Sequence, residues 1–120
     1  MNPPSKSPAA TPAGITIGDG RALRVALGQF ATGVTVITTR ASDGSFVGLT
    51  ANSFGALSLD PPLISWALRL ASTSLPAFRQ GERFVVNVLT ESQVEVSRLF
   101  ASAAPDKFSQ VAHAENRHGL

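Results

Sequence analysis

The chain has no cysteine, which excludes disulfides, thiolate zinc sites and a cysteine nucleophile. It has no tyrosine, one tryptophan and one methionine, and only 15% of its 120 residues are charged. That sparse charge beside a 43% apolar fraction fits neither a disordered protein nor a coiled coil. The formal net charge is only +2, and the basic residues form no stripe interleaved with aromatics, so no nucleic-acid partner is expected. No apolar run approaches the roughly 20 residues that span a bilayer. The N-terminus carries no apolar signal core. The expectation is one modest domain in the cytoplasm, with no membrane partner.

Familiar catalytic signatures are also missing. There is no GxSxG elbow and no P-loop lysine pattern. Gly18-Asp19-Gly20 begins a dinucleotide fingerprint, but Leu23 stands where the third glycine belongs and a hairpin follows instead of a βαβ unit. His113, Glu115 and His118 lie on a polar tail without periodicity, which reads as solvated surface more readily than as a metal site. No pair of carboxylates shares a face suited to glycoside chemistry. An enzyme built this way takes its reactive group from a cofactor and supplies orientation and polarity.

What is present is a β-rich pattern with short helices. Residues 1–14, with four prolines among Ser, Ala and Thr, read as a disordered lead-in that extends to about residue 18. Asp19 caps an expected helix over 20–30, ended by Gly33, with Leu23, Ala26, Leu27 and Phe30 on one face. VTVITTR (34–40) is a strand of β-branched residues. Asp43-Gly44 signals a hairpin turn, and 46–53 returns antiparallel. Residues 54–59 continue extended to an Asp60-Pro61-Pro62 turn, and 63–70 form the next strand around Trp66. Ser72, Thr73 and Ser74 precede a short helix with proline in its first turn and Gly81 at its end. FVVNVL (84–89) is apolar enough to be a central strand. Thr90 and Gln93 have capping-box spacing before a last helix. Successive strands with short turns predict an antiparallel sheet that meanders and curls toward a barrel.

The stretch GLTANSFGALSLDPP (48–62) is the candidate site. Its strand runs into Thr50, Asn52 and Ser53, whose small side chains leave backbone N–H groups open to a flat or phosphorylated ligand. The same residues also suit an ordinary turn.

FATGVTVITT (30–39), GLTANSFGALSLDPPL (48–63), FVVNVL (84–89) and the LFA…DKF run (99–108) together resemble the flavin reductase-like domain family. The resemblance covers about residues 23–108, in order and at natural spacing. It implies a mainly β fold with helices, an antiparallel FMN-binding split barrel that forms a homodimer. It further implies FMN or FAD as cofactor, NADH or NADPH as co-substrate, and a flavin-dependent monooxygenase served by diffusing reduced flavin. On this resemblance, Thr32, Gly33, Val34 and Thr35 form the TGVT motif, and Val36 and Thr38 the wall beside the flavin. Thr50, Ala51, Asn52, Ser53 and Phe54 contact the ring edge and ribityl chain, Ser58 continues that loop, and Ser72 and Thr73 offer hydroxyls toward the phosphate, with Arg69 as a possible charge partner. Ser72 and Thr73 equally suit a plain helix N-cap. Family members continue past a His-Gly turn, like His118-Gly119, into strands that close the barrel. The expectation is therefore a domain over 19–120 with an incomplete barrel that lacks C-terminal strands. Two further readings stay open: a flavin-binding module without reductase turnover, and a ligand-free structural remnant.

Overall fold

The computed structural model describes residues 18–120; the proline-rich lead-in and Ile15–Ile17 lie outside the described residues. The chain falls into two compact units, Met1–Thr32 and Gly33–Leu120. In the first, helix α1 spans Gly20–Leu27, and the Asp19 carboxylate accepts from the N–H groups of Arg21 and Ala22, both at 3.1 Å. The helix is shorter than its periodicity predicts. Gly28 already caps it, donating to the Arg24 carbonyl, and Phe30 stands exposed beyond the last turn.

The second unit is built on a three-stranded antiparallel sheet: β1 (Thr35–Arg40), β2 (Phe46–Ala51) and β5 (Val85–Val88), in the order β2-β1-β5. A separate antiparallel hairpin pairs β3 (Gly55–Leu59) with β4 (Pro62–Ser65). Helix α2 covers Leu75–Gln80, and a 3-10 turn at Glu91–Gln93 leads into α3, Val94–Ala101. A second 3-10 turn occupies Lys107–Gln110. The architecture is thus antiparallel β with helices.

β1 lies at the centre because both of its faces are apolar or hydroxyl-bearing. Thr35, Val36, Ile37 and Thr39 are all buried, Ile37 completely. The two buried threonines spend their hydroxyls inside the protein: Thr35 Oγ1 donates to the Ala51 carbonyl and Thr39 Oγ1 to the Arg83 carbonyl, both at 2.7 Å. A buried hydroxyl without such a partner would cost about 1–3 kcal/mol. The strand expected at the centre, β5, pairs with β1 alone among the described strands. Its apolar run is no guide to position, because Asn87 and Val88 are exposed and the more thoroughly β-branched β1 takes the middle.

The β1–β2 turn follows its sequence signal. Gly44 adopts φ 87°, and the Asp43 carboxylate accepts from the Ser45 hydroxyl at 2.6 Å and from its N–H at 2.9 Å. β2 and β3 do not meander within one sheet; they lie in different sheets. Asp60-Pro61, a cis peptide, forms a two-residue turn, and Pro62 opens β4 opposite Leu59. β4 ends at Ser65, far short of residue 70. The Ala67 N–H is captured by the Ser53 hydroxyl at 2.9 Å, and Trp66 turns aside to pack edge-on against Phe78 and Phe84, with centroids 5.0 and 5.7 Å away.

Residues 112–118 are exposed, as expected of a solvated surface segment, yet the segment is pinned by specific contacts. Phe108 packs against Phe46, Phe100 and His113 at centroid distances of 5.3, 5.1 and 5.4 Å. Arg40 donates from Nε to the Gly119 carbonyl at 2.8 Å, pairs with Glu115 at 2.9 Å and lies over the Phe46 ring. A side chain at position 48 would fill the space these rings occupy: a Cβ on Gly48 would stand 2.9 Å from Phe100 and 3.1 Å from Phe108. Among the described residues no helix is long and apolar enough to cross a membrane.

Candidate functional site

β2 loses its partner after Ala51, which pairs with Thr35, and the chain turns outward through Asn52 and Ser53, both exposed. The strand behind this ledge is fixed at two points. Thr35 holds the Ala51 carbonyl, and Thr50 Oγ1 donates to the Ser97 carbonyl of α3 at 2.6 Å. Neither Asn52, Ser53 nor Phe54 donates its backbone N–H to another described residue, and the Asn52 amide is equally unengaged among them. The result is a rigid support presenting several free donors.

The ledge borders an open groove of about 450 Å³. It is lined by Val34, residues 50–53, Ala67, Ser97 and Ala101. Every one of these side chains is small and none is ionised. Such a groove admits a flat, uncharged polar edge and holds it by hydrogen bonds, but it contains no group that moves a proton. Ser97, Ala101 and Ala67 had no signal as site residues in the sequence, although Ser97 and Ala101, four positions apart, stand on one helix face.

The other residues singled out by the resemblance fall elsewhere. Val36 and Thr38 point to the sheet face beneath α3 and line an apolar cavity of about 330 Å³ with Phe100, Phe108 and Asn87. Asn87 is tied there, donating from Nδ2 to the Val36 carbonyl at 2.9 Å. Thr73 is exposed and borders a third, shallow recess of about 770 Å³ beside Gly48 and Lys107. Burial pushes the Lys107 ammonium below its ordinary range, and Nζ donates to the Phe100 carbonyl at 3.2 Å. Ser72 Oγ accepts the Ser74 N–H at 3.2 Å, whereas Ser74, the residue before α2, makes no side-chain capping bond. Ser58 is half-buried on β3, Phe54 and Gly33 are exposed, and Thr32 is exposed in the first unit. The groove therefore gathers Val34, Thr50, Ala51, Asn52 and Ser53, while Val36, Thr38 and Thr73 border other recesses.

Residues 27–120 match the flavin reductase like domain. The reductase subunit HsaB of a flavin-dependent monooxygenase from Mycobacterium tuberculosis is 50% identical over 93 residues, which is 78% of this chain and 49% of that protein. A solved nitrilotriacetate monooxygenase component B homolog from Mycobacterium thermoresistibile superposes with a TM-score of 0.78 at 46% identity, covering 84% of this chain and 56% of that one. The NADH:FAD oxidoreductase of Streptomyces globisporus, solved with NAD and FAD fragments, gives 0.75 at 32% identity, covering 89% and 64%. The chain spans between 32% and 49% of the length of the curated relatives it matches first. With the match running from the end of α1 through β1, the ledge and α3, the chain belongs to the flavin reductase-like domain family.

Proposed function

We propose that this chain acts as an NAD(P)H-dependent flavin reductase domain, taking FMN or FAD and supplying reduced flavin to a partner monooxygenase. The observation that carries the reading is the ledge, where free N–H groups at residues 52–54 and the Asn52 amide border a groove walled by small side chains. These donors fit a ring edge rich in carbonyl oxygens and a polyol chain. Flavin, when bound, supplies the acceptor for a hydride from the nicotinamide. The protein's part is positional. Asn52 and Ser53 with their backbone hold the ring edge, Val34 and Ala67 bound the groove, and the hydroxyls of Thr35 and Thr50 keep the support still. On the family resemblance alone, Thr32, Gly33, Val36, Thr38, Phe54, Ser58, Ser72 and Thr73 are also proposed as cofactor residues, although Val36, Thr38 and Thr73 border recesses other than the groove.

The proposal includes a domain over 19–120, an antiparallel split barrel and a homodimer. The β3–β4 hairpin supports the last two. A two-stranded hairpin is marginal alone, yet Leu57, Leu59, Leu63 and Ile64 are all exposed on it. A fluorescence titration of the chain with FMN and with FAD tests cofactor binding, with saturable quenching as the expected result. Oxidation of NADH or NADPH with added flavin then separates a reductase from a module that binds flavin without turnover. A titration in which flavin emission stays unquenched rejects the proposal.

A further inference from the structure

A turn at the opposite end of the sheet from the ledge gathers positive charge. Arg40, at that end of β1, holds the Gly119 carbonyl, and the Asn116 side chain ties the turn by accepting from the N–H groups of His118 and Leu120 at 2.8 and 3.1 Å. On this turn the His118 ring stands between two guanidinium groups. Arg83 Nη1 lies 3.3 Å from its Nδ1, and Arg117 Nε lies 3.2 Å from its Nε2. A neutral imidazole accepts at one nitrogen and donates at the other, and a guanidinium only donates. One of the two contacts must therefore set N–H against N–H.

Among the described residues no Asp or Glu side chain pairs with Arg83 or Arg117. The ion pairs among the described residues are Arg40–Glu115 and Arg98–Glu95. All eight acidic residues of the sequence lie among residues 19–115, within the described part of the chain. Glu82 is the sequence neighbour of Arg83 yet pairs with no base, and Glu115 is engaged by Arg40. Arg83, Arg117 and His118 are all exposed, so an incoming anion can reach the guanidinium and imidazole donors that gather around the His118 ring.

We infer that Arg83, Arg117 and His118 form a binding site for a phosphate group, in which one anion accepts from both guanidiniums and from the imidazole N–H. The guanidinium fork matches phosphate oxygens, and three acceptor oxygens satisfy three donor groups at once. The site is separate from the flavin ledge. Ladder partners place Ala51 opposite Thr35 and Phe46 opposite Arg40, so the two ends lie roughly 17 Å apart, five residues at about 3.3 Å each. The phosphate is either free or carried by a dinucleotide.

Proton NMR of the full chain tests this, because the sequence holds only two histidines. His113, packed edge-on against Phe46 and Phe108, serves as the internal reference for a docked tail. Titration with orthophosphate at constant ionic strength is expected to shift the His118 ring signals saturably and leave those of His113 in place. Arg83→Gln and Arg117→Gln are each expected to raise the half-saturating concentration about tenfold, as loss of a charge-assisted bond predicts, while Arg83→Lys retains part of the affinity. NADPH saturating at lower concentration than NADH and orthophosphate identifies the phosphate as the dinucleotide's 2′ group. Equal saturation by orthophosphate and NADPH identifies free phosphate. A His118 signal that stays still or drifts linearly overturns the inference, as do variants with intact His113 signals that titrate like the parent.

Discussion

Replacing Thr50 with valine removes one hydroxyl and keeps the side-chain shape. The bond lost is the 2.6 Å donation from Thr50 Oγ1 to the Ser97 carbonyl, which ties β2 to α3 beside the groove. Ser97 lies inside α3, where its carbonyl stays within the helix ladder, so no buried acceptor is orphaned. The cost is then that of an ordinary net hydrogen bond, about 1 kcal/mol, or a fall in Tm of about 4–8 °C for a unit of this size. Because the hydroxyl points into the protein, Thr50→Val should change the flavin dissociation constant less than about twofold. Asn52→Ala should do the reverse. Its side chain is exposed and engaged by no described partner, so Tm should hold while flavin affinity drops about fivefold, the equivalent of about 1 kcal/mol. Thermal denaturation paired with flavin fluorescence titration measures both. Thr50→Val losing flavin affinity at unchanged Tm would refute the division of the ledge into a fixed support and a contacting tip.

Gly48→Ala should destabilise by about 1–3 kcal/mol, since its Cβ would stand 2.9–3.1 Å from the Phe100 and Phe108 rings; urea unfolding gives the number. Arg40→Gln loses the Glu115 pair, the Nε bond to Gly119 and the stacking over Phe46. Faster amide exchange over residues 113–120, with β1 protection retained, is the expected signature. The Ser45 hydroxyl and then its N–H hold the Asp43 carboxyl below the ordinary carboxylate range. A lowered folded-state pKa stabilises the turn above the unfolded value, and that gain disappears as pH falls through the folded value. An acid titration should release the Ser45 amide signal only below the usual aspartate midpoint, and Ser45→Ala should move that release upward.

Several elements were legible because their signals are local. β1 declares itself through β-branched residues, the β1–β2 turn through Asp43-Gly44, and the 90–93 turn through the Gln93 side chain, which reaches back to the Thr90 N–H at 2.9 Å. The tip of the ledge was equally readable, because Asn52 and Ser53 follow a strand that has nothing further to pair with. Strand order was not readable. Whether 84–89 or 35–40 takes the centre depends on what covers each face, and that is decided by Ala77 and Phe100 from distant helices. The part of the groove lined by Ser97 and Ala101 is brought in only by the docking of α3. The contacts of Phe108 and His113 were unreadable for a similar reason, because their aromatic partner Phe46 is more than sixty positions earlier.

Ser53 belongs to two structures at once. Its oxygen lone pair receives the Ala67 N–H at 2.9 Å, while its own proton has only a long 3.5 Å approach to the Ala67 carbonyl. That proton can swing toward a guest without breaking the bond its oxygen already accepts. Hydrogen bonds linked in this way polarise one another, so anything seated on the ledge pulls, through a single atom, on the chain leaving the β3–β4 hairpin. The Ala67 amide is thus a built-in listening post for occupancy, several residues away in the chain from the strand that bears the ledge.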